Sequence, residues 1–149
     1  MFTLTFVWTM VTAIVPMLLT HTAHFDFTSL LHVLVRFTFM IAICLPFDIR
    51  DFEIDKADEI STIPHIIGEN ETRWLAFAFM LIYIALLVWE YAGAMFSLAV
   101  FAGLIISAVI NTGFVLMSSS KRDEYFFVAG LDGTMILQGV LLLIARYYF

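Results

Sequence analysis

Six carboxylates stand within twelve residues of this chain: Asp48, Asp51, Glu53, Asp55, Asp58 and Glu59. Only Arg50 and Lys56 are interspersed among them, although the whole chain holds just 13 acidic residues. Asp48, Asp51 and Asp55 follow an i, i+3, i+7 spacing, which on a helix puts three carboxylates on one face. Like charges so placed repel. A divalent cation among the oxygens reverses that penalty. Mg²⁺ suits such a row, because it takes one or two protein carboxylates and completes its shell with water or phosphate oxygens. A carboxylate row holding Mg²⁺ docks a diphosphate that bare carboxylates would repel, and the metal stabilises a departing diphosphate as a Lewis acid. The plainer alternative is a solvated charged loop that anchors the apolar run before it.

What positions the row is a set of hydrocarbon-soluble runs. The 149 residues suffice for one domain. Charged residues make up 13 %, against about 25 % in soluble chains. Apolar runs occur over about Phe2–Thr20, Phe27–Phe47, Trp74–Tyr91, Met95–Met117 and Tyr125–Ala145. Each is near the roughly 20 residues of a transmembrane helix. None alternates with period two, so the expected fold is all-α: a single membrane domain over 1–149 with about five spans. Residues 48–73 are expected as an aspartate-rich loop within it. Arg50, Lys56, Arg73, Lys121 and Arg122 fall in the two links on one side, while His21–Asp26 and Glu90–Ala94 carry neither Lys nor Arg. The excess of basic residues predicts that the acidic loop is cytoplasmic and the C-terminus outside. The acidity is local and suits a cation, not nucleic acid, which needs a basic surface. The N-terminus lacks the basic region of a signal peptide. Pro16 should kink or end the first span, and Cys44 reads as a small packed side chain.

Arg36, Asn111, Asp132 and Gln138 interrupt the apolar spans, and such groups face an interior or a water-filled cavity. Arg36 and Asp132 are expected to pair, or to line a cavity beneath the carboxylate row together with Asn111. Lys56 and Arg50, with Lys121 and Arg122, are candidates for contacting diphosphate oxygens. His65 is a candidate base, and His21 and His24 are a weak candidate metal pair. Glu90 reads as a solvated helix end. Gly103, Ser107, Ala108, Gly113 and Gly130 invite close helix contact.

The string Asp48-Ile49-Arg50-Asp51-Phe52-Glu53-Ile54-Asp55-Lys56, followed by Ser61-Thr62-Ile63-Pro64 and Gly68, resembles the second aspartate-rich motif of the UbiA superfamily of intramembrane prenyltransferases. The resemblance implies a nine-helix fold of which this chain matches helices five to nine. It implies transfer of a polyprenyl group from a prenyl diphosphate to a lipophilic, often aromatic, acceptor within membrane lipid. Asp51 and Asp55 match the defining pair of metal-holding carboxylates, with Asp48 one turn earlier. The family's first motif, of the NDxxDxxxD type, has no counterpart in this chain. The expectation is therefore the C-terminal half of such an enzyme, inactive without a partner half that carries the first motif. The alternative is a non-enzymatic membrane protein that retains an acidic cation-binding loop.

Overall fold

An apolar run of bilayer length must satisfy its backbone polar groups internally, and a helix does so within one segment. The computed structural model describes residues 2–19 and 26–148, and every regular element among them is helical. The order is α1 (Phe2–Thr9), a π-helical turn (Met10–Ile14), α2 (Val15–Leu19), α3 (Phe27–Arg50), α4 (Phe52–Ala57), α5 (Ile63–Ile67), α6 (Glu69–Ala92) and α7 (Leu98–Met117). A second π-helical segment (Phe126–Asp132) then runs into α8 (Gly133–Tyr148). Among the described residues four helices are long and apolar enough to cross a membrane: Phe27–Arg50, Glu69–Ala92, Leu98–Met117 and Phe126–Tyr148. The first apolar helix, Thr3–Leu19, is shorter, so four of the five expected spans reach full length. His21 and His24 lie outside the described residues.

The π-helical turn has a local cause. Pro16 has no N–H to offer the carbonyl four residues back. The turn before it widens, and the Val15 N–H bonds instead to the Met10 carbonyl. Widening of this kind re-aims the side chains it carries, and Thr12 is one of them.

The α3 helix is the centre of the bundle. Its most apolar window is 61 % buried, against 28 % for each of the other three long helices. Asp26 caps its start, accepting from the Ser29 N–H at 2.9 Å. Residues 38–46 are buried on every side. α1, α6, α7 and the second π-helical segment all pack on α3. α6 offers it a stripe of Thr72, Ala76, Met80, Tyr83, Leu87 and Glu90, spaced three and four residues apart. Phe39 meets Tyr83 across this seam, with ring centroids 4.8 Å apart.

The α7–α8 contact depends on small residues, as lipid-embedded helices do. Gly103, Ser107 and Ala108 are buried in α7. A Cβ on Gly103 would stand 3.4 Å from Leu141. Gly113 differs from expectation: it is exposed, with open space around it. Gly130 is the tightest position. A Cβ there would lie 2.5 Å from the Phe114 ring, which already packs edge-on to Phe126. Gly130→Ala should therefore cost about 1–3 kcal/mol, the usual penalty for overpacking. Thermal unfolding in detergent would measure it, and a Phe114→Leu background should recover most of the loss.

Candidate functional site

The acidic stretch is built as helix rather than loop. α3 continues through Pro46 to Arg50, past the expected span end at Phe47. The Asp51 N–H bonds to the Phe47 carbonyl at 3.0 Å, and the Asp55 N–H to the Asp51 carbonyl at 2.9 Å. These bonds flank a break at Asp51, whose φ −83° and ψ 5° are not helical, so α3 and α4 are two helices and the i, i+3, i+7 spacing does not by itself put the three carboxylates on one face. The next residues fold back as a clasp. Ile60 N–H bonds to the Asp55 carbonyl at 2.8 Å. The His65 ring stacks on Phe52, with centroids 4.3 Å apart and planes 9° from parallel. Its Nε2 donates to the Phe52 carbonyl at 2.9 Å, and Nδ1 lies 2.7 Å from the Thr62 hydroxyl. Both ring nitrogens are thus engaged, and these contacts hold α5 to α4. Gly68, at φ +97°, then turns the chain into α6.

The three aspartates differ in surroundings. Asp48 is half-buried, and its Oδ2 is a buried oxygen with no hydrogen-bond partner. Asp51 is taken up by its neighbour. Arg50 Nε donates to Oδ1 at 2.6 Å and Nη2 to Oδ2 at 2.9 Å, the two-pronged geometry of a strong pair. Arg50 also lies over the Phe47 ring at 5.0 Å, so it is held within the chain and not extended toward a ligand. Lys56, Lys121 and Arg122 are exposed. Among the described residues, no three His, Cys, Asp or Glu side chains are grouped closely enough to hold a metal by themselves. The link before α8 is tied to the same end of the bundle: Glu69 accepts from the Ser120 hydroxyl at 2.6 Å, and Arg73 Nε donates to the Ser118 carbonyl at 2.8 Å.

A second polar cluster lies within the bundle, away from the acidic end. Arg36 Nε donates to Thr12 Oγ1 at 2.9 Å, and Nη1 donates to Gln138 Oε1 at 3.0 Å. Gln138 Nε2 in turn donates to the Tyr83 hydroxyl oxygen at 2.8 Å. The Pro16-induced π-helical turn supplies Thr12, and the α6 stripe supplies Tyr83. Closer to the Phe27 end of α3, His32 Nδ1 meets Glu90 Oε1 at 2.5 Å. Glu90 is 2 % exposed and His32 44 %. These groups line one open cavity of about 560 Å³, whose mouth carries Asp26 and Ser29. A second cavity of about 510 Å³ shares Thr12 and Arg36 with the first and runs past Trp8, Cys44 and Phe47 to Asp132.

Comparison with protein-family models, with curated proteins and with solved structures finds no match in any of the three.

The geometry revises several expectations. Arg36 and Asp132 line one groove, but they do not pair. Arg36 bonds to neutral groups, and the cation within electrostatic reach of Asp132 is Arg50. Asn111 lines neither groove. It is fully buried between α7 and α8, where its Oδ1 accepts from the Thr134 hydroxyl. Glu90 is no solvated helix end but a buried carboxylate paired to α3. The signal for it was present in the chain, because Glu90 continues the three-and-four spacing of the α6 stripe. Its neighbourhood to the Ala92–Gly93 turn obscured that signal.

Proposed function

We propose that the chain is the membrane-embedded C-terminal half of a Mg²⁺-dependent prenyltransferase, with Asp48, Asp51 and Asp55 forming one side of the diphosphate site. The observation that supports the reading most is the unpartnered Asp48 Oδ2 in the last turn of α3, with Asp51 and Asp55 following across the junction to α4. Buried oxygens without partners are uncommon, and a Mg²⁺ ion bound here would give this one a partner. The residues fit Mg²⁺ as an ion completed by phosphate oxygens, since one or two carboxylates are all it asks of a protein. They do not amount to a self-sufficient protein cage, which agrees with a site shared with a second half. Bound there, the ion would neutralise charge on the departing diphosphate.

In this reading Asp48 and Asp55 are metal ligands, and Asp51 becomes one when Arg50 turns from it toward the diphosphate. Lys56 stands one residue beyond the row as a further diphosphate contact. The His65–Phe52 clasp holds α4 in place and keeps the row in register. The lipophilic acceptor and the prenyl chain occupy the apolar interior. Five crossings, with the acidic end cytoplasmic and the C-terminus outside, complete the arrangement. The pairing of Arg50 with Asp51 favours a second reading, in which the acidic end is a charge-balanced cation site without catalysis.

The test reconstitutes the chain in vesicles with a polypeptide bearing the first aspartate-rich motif and measures Mg²⁺-dependent binding of a prenyl diphosphate. Asp51→Ala with Asp55→Ala should reduce binding by about tenfold or more, the loss expected for charge-assisted contacts. Unchanged binding and transfer would remove the metal assignment. Mg²⁺ uptake without diphosphate binding would favour the second reading.

A further inference from the structure

The geometry points to Arg36 as the anchor of a binding site for a single-chain lipophilic carboxylate, seated where the two grooves meet. Its polar head lies away from the acidic end, while the second groove reaches Phe47 and Asp132, and the inference stands whether or not the prenyltransferase reading does.

Arg36 lies nine residues into α3, about 14 Å from its start at 1.5 Å per residue. A cation at such depth is costly and needs compensation. Among the described residues the ion pairs are His32–Glu90 and Arg50–Asp51, and Arg36 belongs to neither. Its polar partners, Thr12 and Gln138, are neutral. The Phe39 ring, 5.3 Å from the guanidinium carbon, offers a favourable face but no negative charge.

The donors that remain are aimed by this network. A guanidinium has five N–H groups, and the hydrogen bonds to Thr12 and Gln138 use two. Gln138 is oriented by giving its carbonyl oxygen to Arg36 and its amide to Tyr83. The Tyr83 hydroxyl therefore accepts from Gln138, which leaves its own proton to donate. Tyr83 and Arg36 line the same groove. The guanidinium edge and the phenol proton together suit an oxyanion with two acceptor oxygens in one plane.

Charge selects a carboxylate over a phosphate. Asp26 and Glu90 line the same groove, as does His32, which contacts Glu90. One negative charge on the ligand balances Arg36. A second would sit uncompensated beside two carboxylates in a low-dielectric interior. The apolar part of the ligand is matched by the second groove, where Trp8, Met40, Met135 and Ile136 form the walls and Asp132 stands among the lining residues. Methionine adapts its shape to such chains.

Equilibrium binding of labelled hexadecanoate to the purified full chain in a neutral detergent tests the inference, with hexadecanol and hexadecyl phosphate as controls. The carboxylate should bind saturably, one per chain, and about tenfold or more tighter than the alcohol, the range for a charge-assisted hydrogen bond. Arg36→Gln should abolish that preference, and Arg36→Lys should keep part of it. Equal binding of acid and alcohol overturns the inference. So does tighter binding of the phosphate, or a folded Arg36→Gln chain that still prefers the acid. Should Arg36→Gln fail to fold, the acid-to-alcohol ratio of the unaltered chain decides alone.

Discussion

Replacing His32 by Leu should destabilise the chain by about 3 kcal/mol, the low end of the range for removing one member of a buried ion pair. The cause is Glu90. Its carboxylate is 2 % exposed, and His32 Nδ1, 2.5 Å away, is the polar group that faces it from α3. Leu cannot donate, so the carboxylate must stay buried without a partner or take up a proton. The low end applies because His32 itself is 44 % exposed and leaves water a path to the pair. His32→Leu combined with Glu90→Leu should restore most of the loss, since two apolar side chains of suitable volume replace a buried pair at little cost. Thermal unfolding of the two single variants and the double variant in detergent completes the cycle. A loss below about 0.5 kcal/mol for His32→Leu would put the contact among surface pairs that contribute little.

Phe39→Ala should cost about 3 kcal/mol, again at the low end of the range for a buried aromatic. Phe39 is fully buried, held between the Tyr83 ring and the Arg36 guanidinium. In water both the transfer of the ring and the remaining cavity would contribute. Against lipid the transfer contribution is weak, because hydrocarbon tails are as apolar as the core. The lost packing and the lost ring face over Arg36 remain. Phe39→Leu keeps most of the volume and should cost about 1 kcal/mol, as volume-conserving exchanges do. A chemical-denaturation series across the two variants would separate the cavity from the chemistry. Equal losses for Ala and Leu would mean that the ring itself, through Arg36 or Tyr83, dominates the site.

Much of the fold was legible in the residues taken in order. The helical class followed from run length and from the lack of period-two alternation, because a lipid-facing backbone has few other solutions. The start of α3 at Phe27 agreed with the expected span, whereas α7 starts at Leu98, three residues past the expected Met95, where Ser97 accepts from the Val100 N–H. The extension of α3 past Phe47 to Arg50 was not legible, although its passage through Pro46 was. A proline inside a helix costs one hydrogen bond, and burial of residues 38–46 on every side outweighs it. The first helix shows the opposite balance: less buried around Pro16, it widens into a π-helical turn.

The i, i+3, i+7 spacing of Asp48, Asp51 and Asp55 was a property of the chain alone, though the non-helical Asp51 between α3 and α4 breaks the common face it implied. So was the concentration of basic residues at one end of the bundle. The tertiary structure decided which charges meet. It gave Arg36 to Thr12 and Gln138 instead of Asp132, buried Glu90 against His32, and moved Asn111 from a cavity wall into the α7–α8 seam. Partners separated by 58 residues, as His32 and Glu90 are, are set by how helices rotate and cross, and no local spacing encodes that rotation.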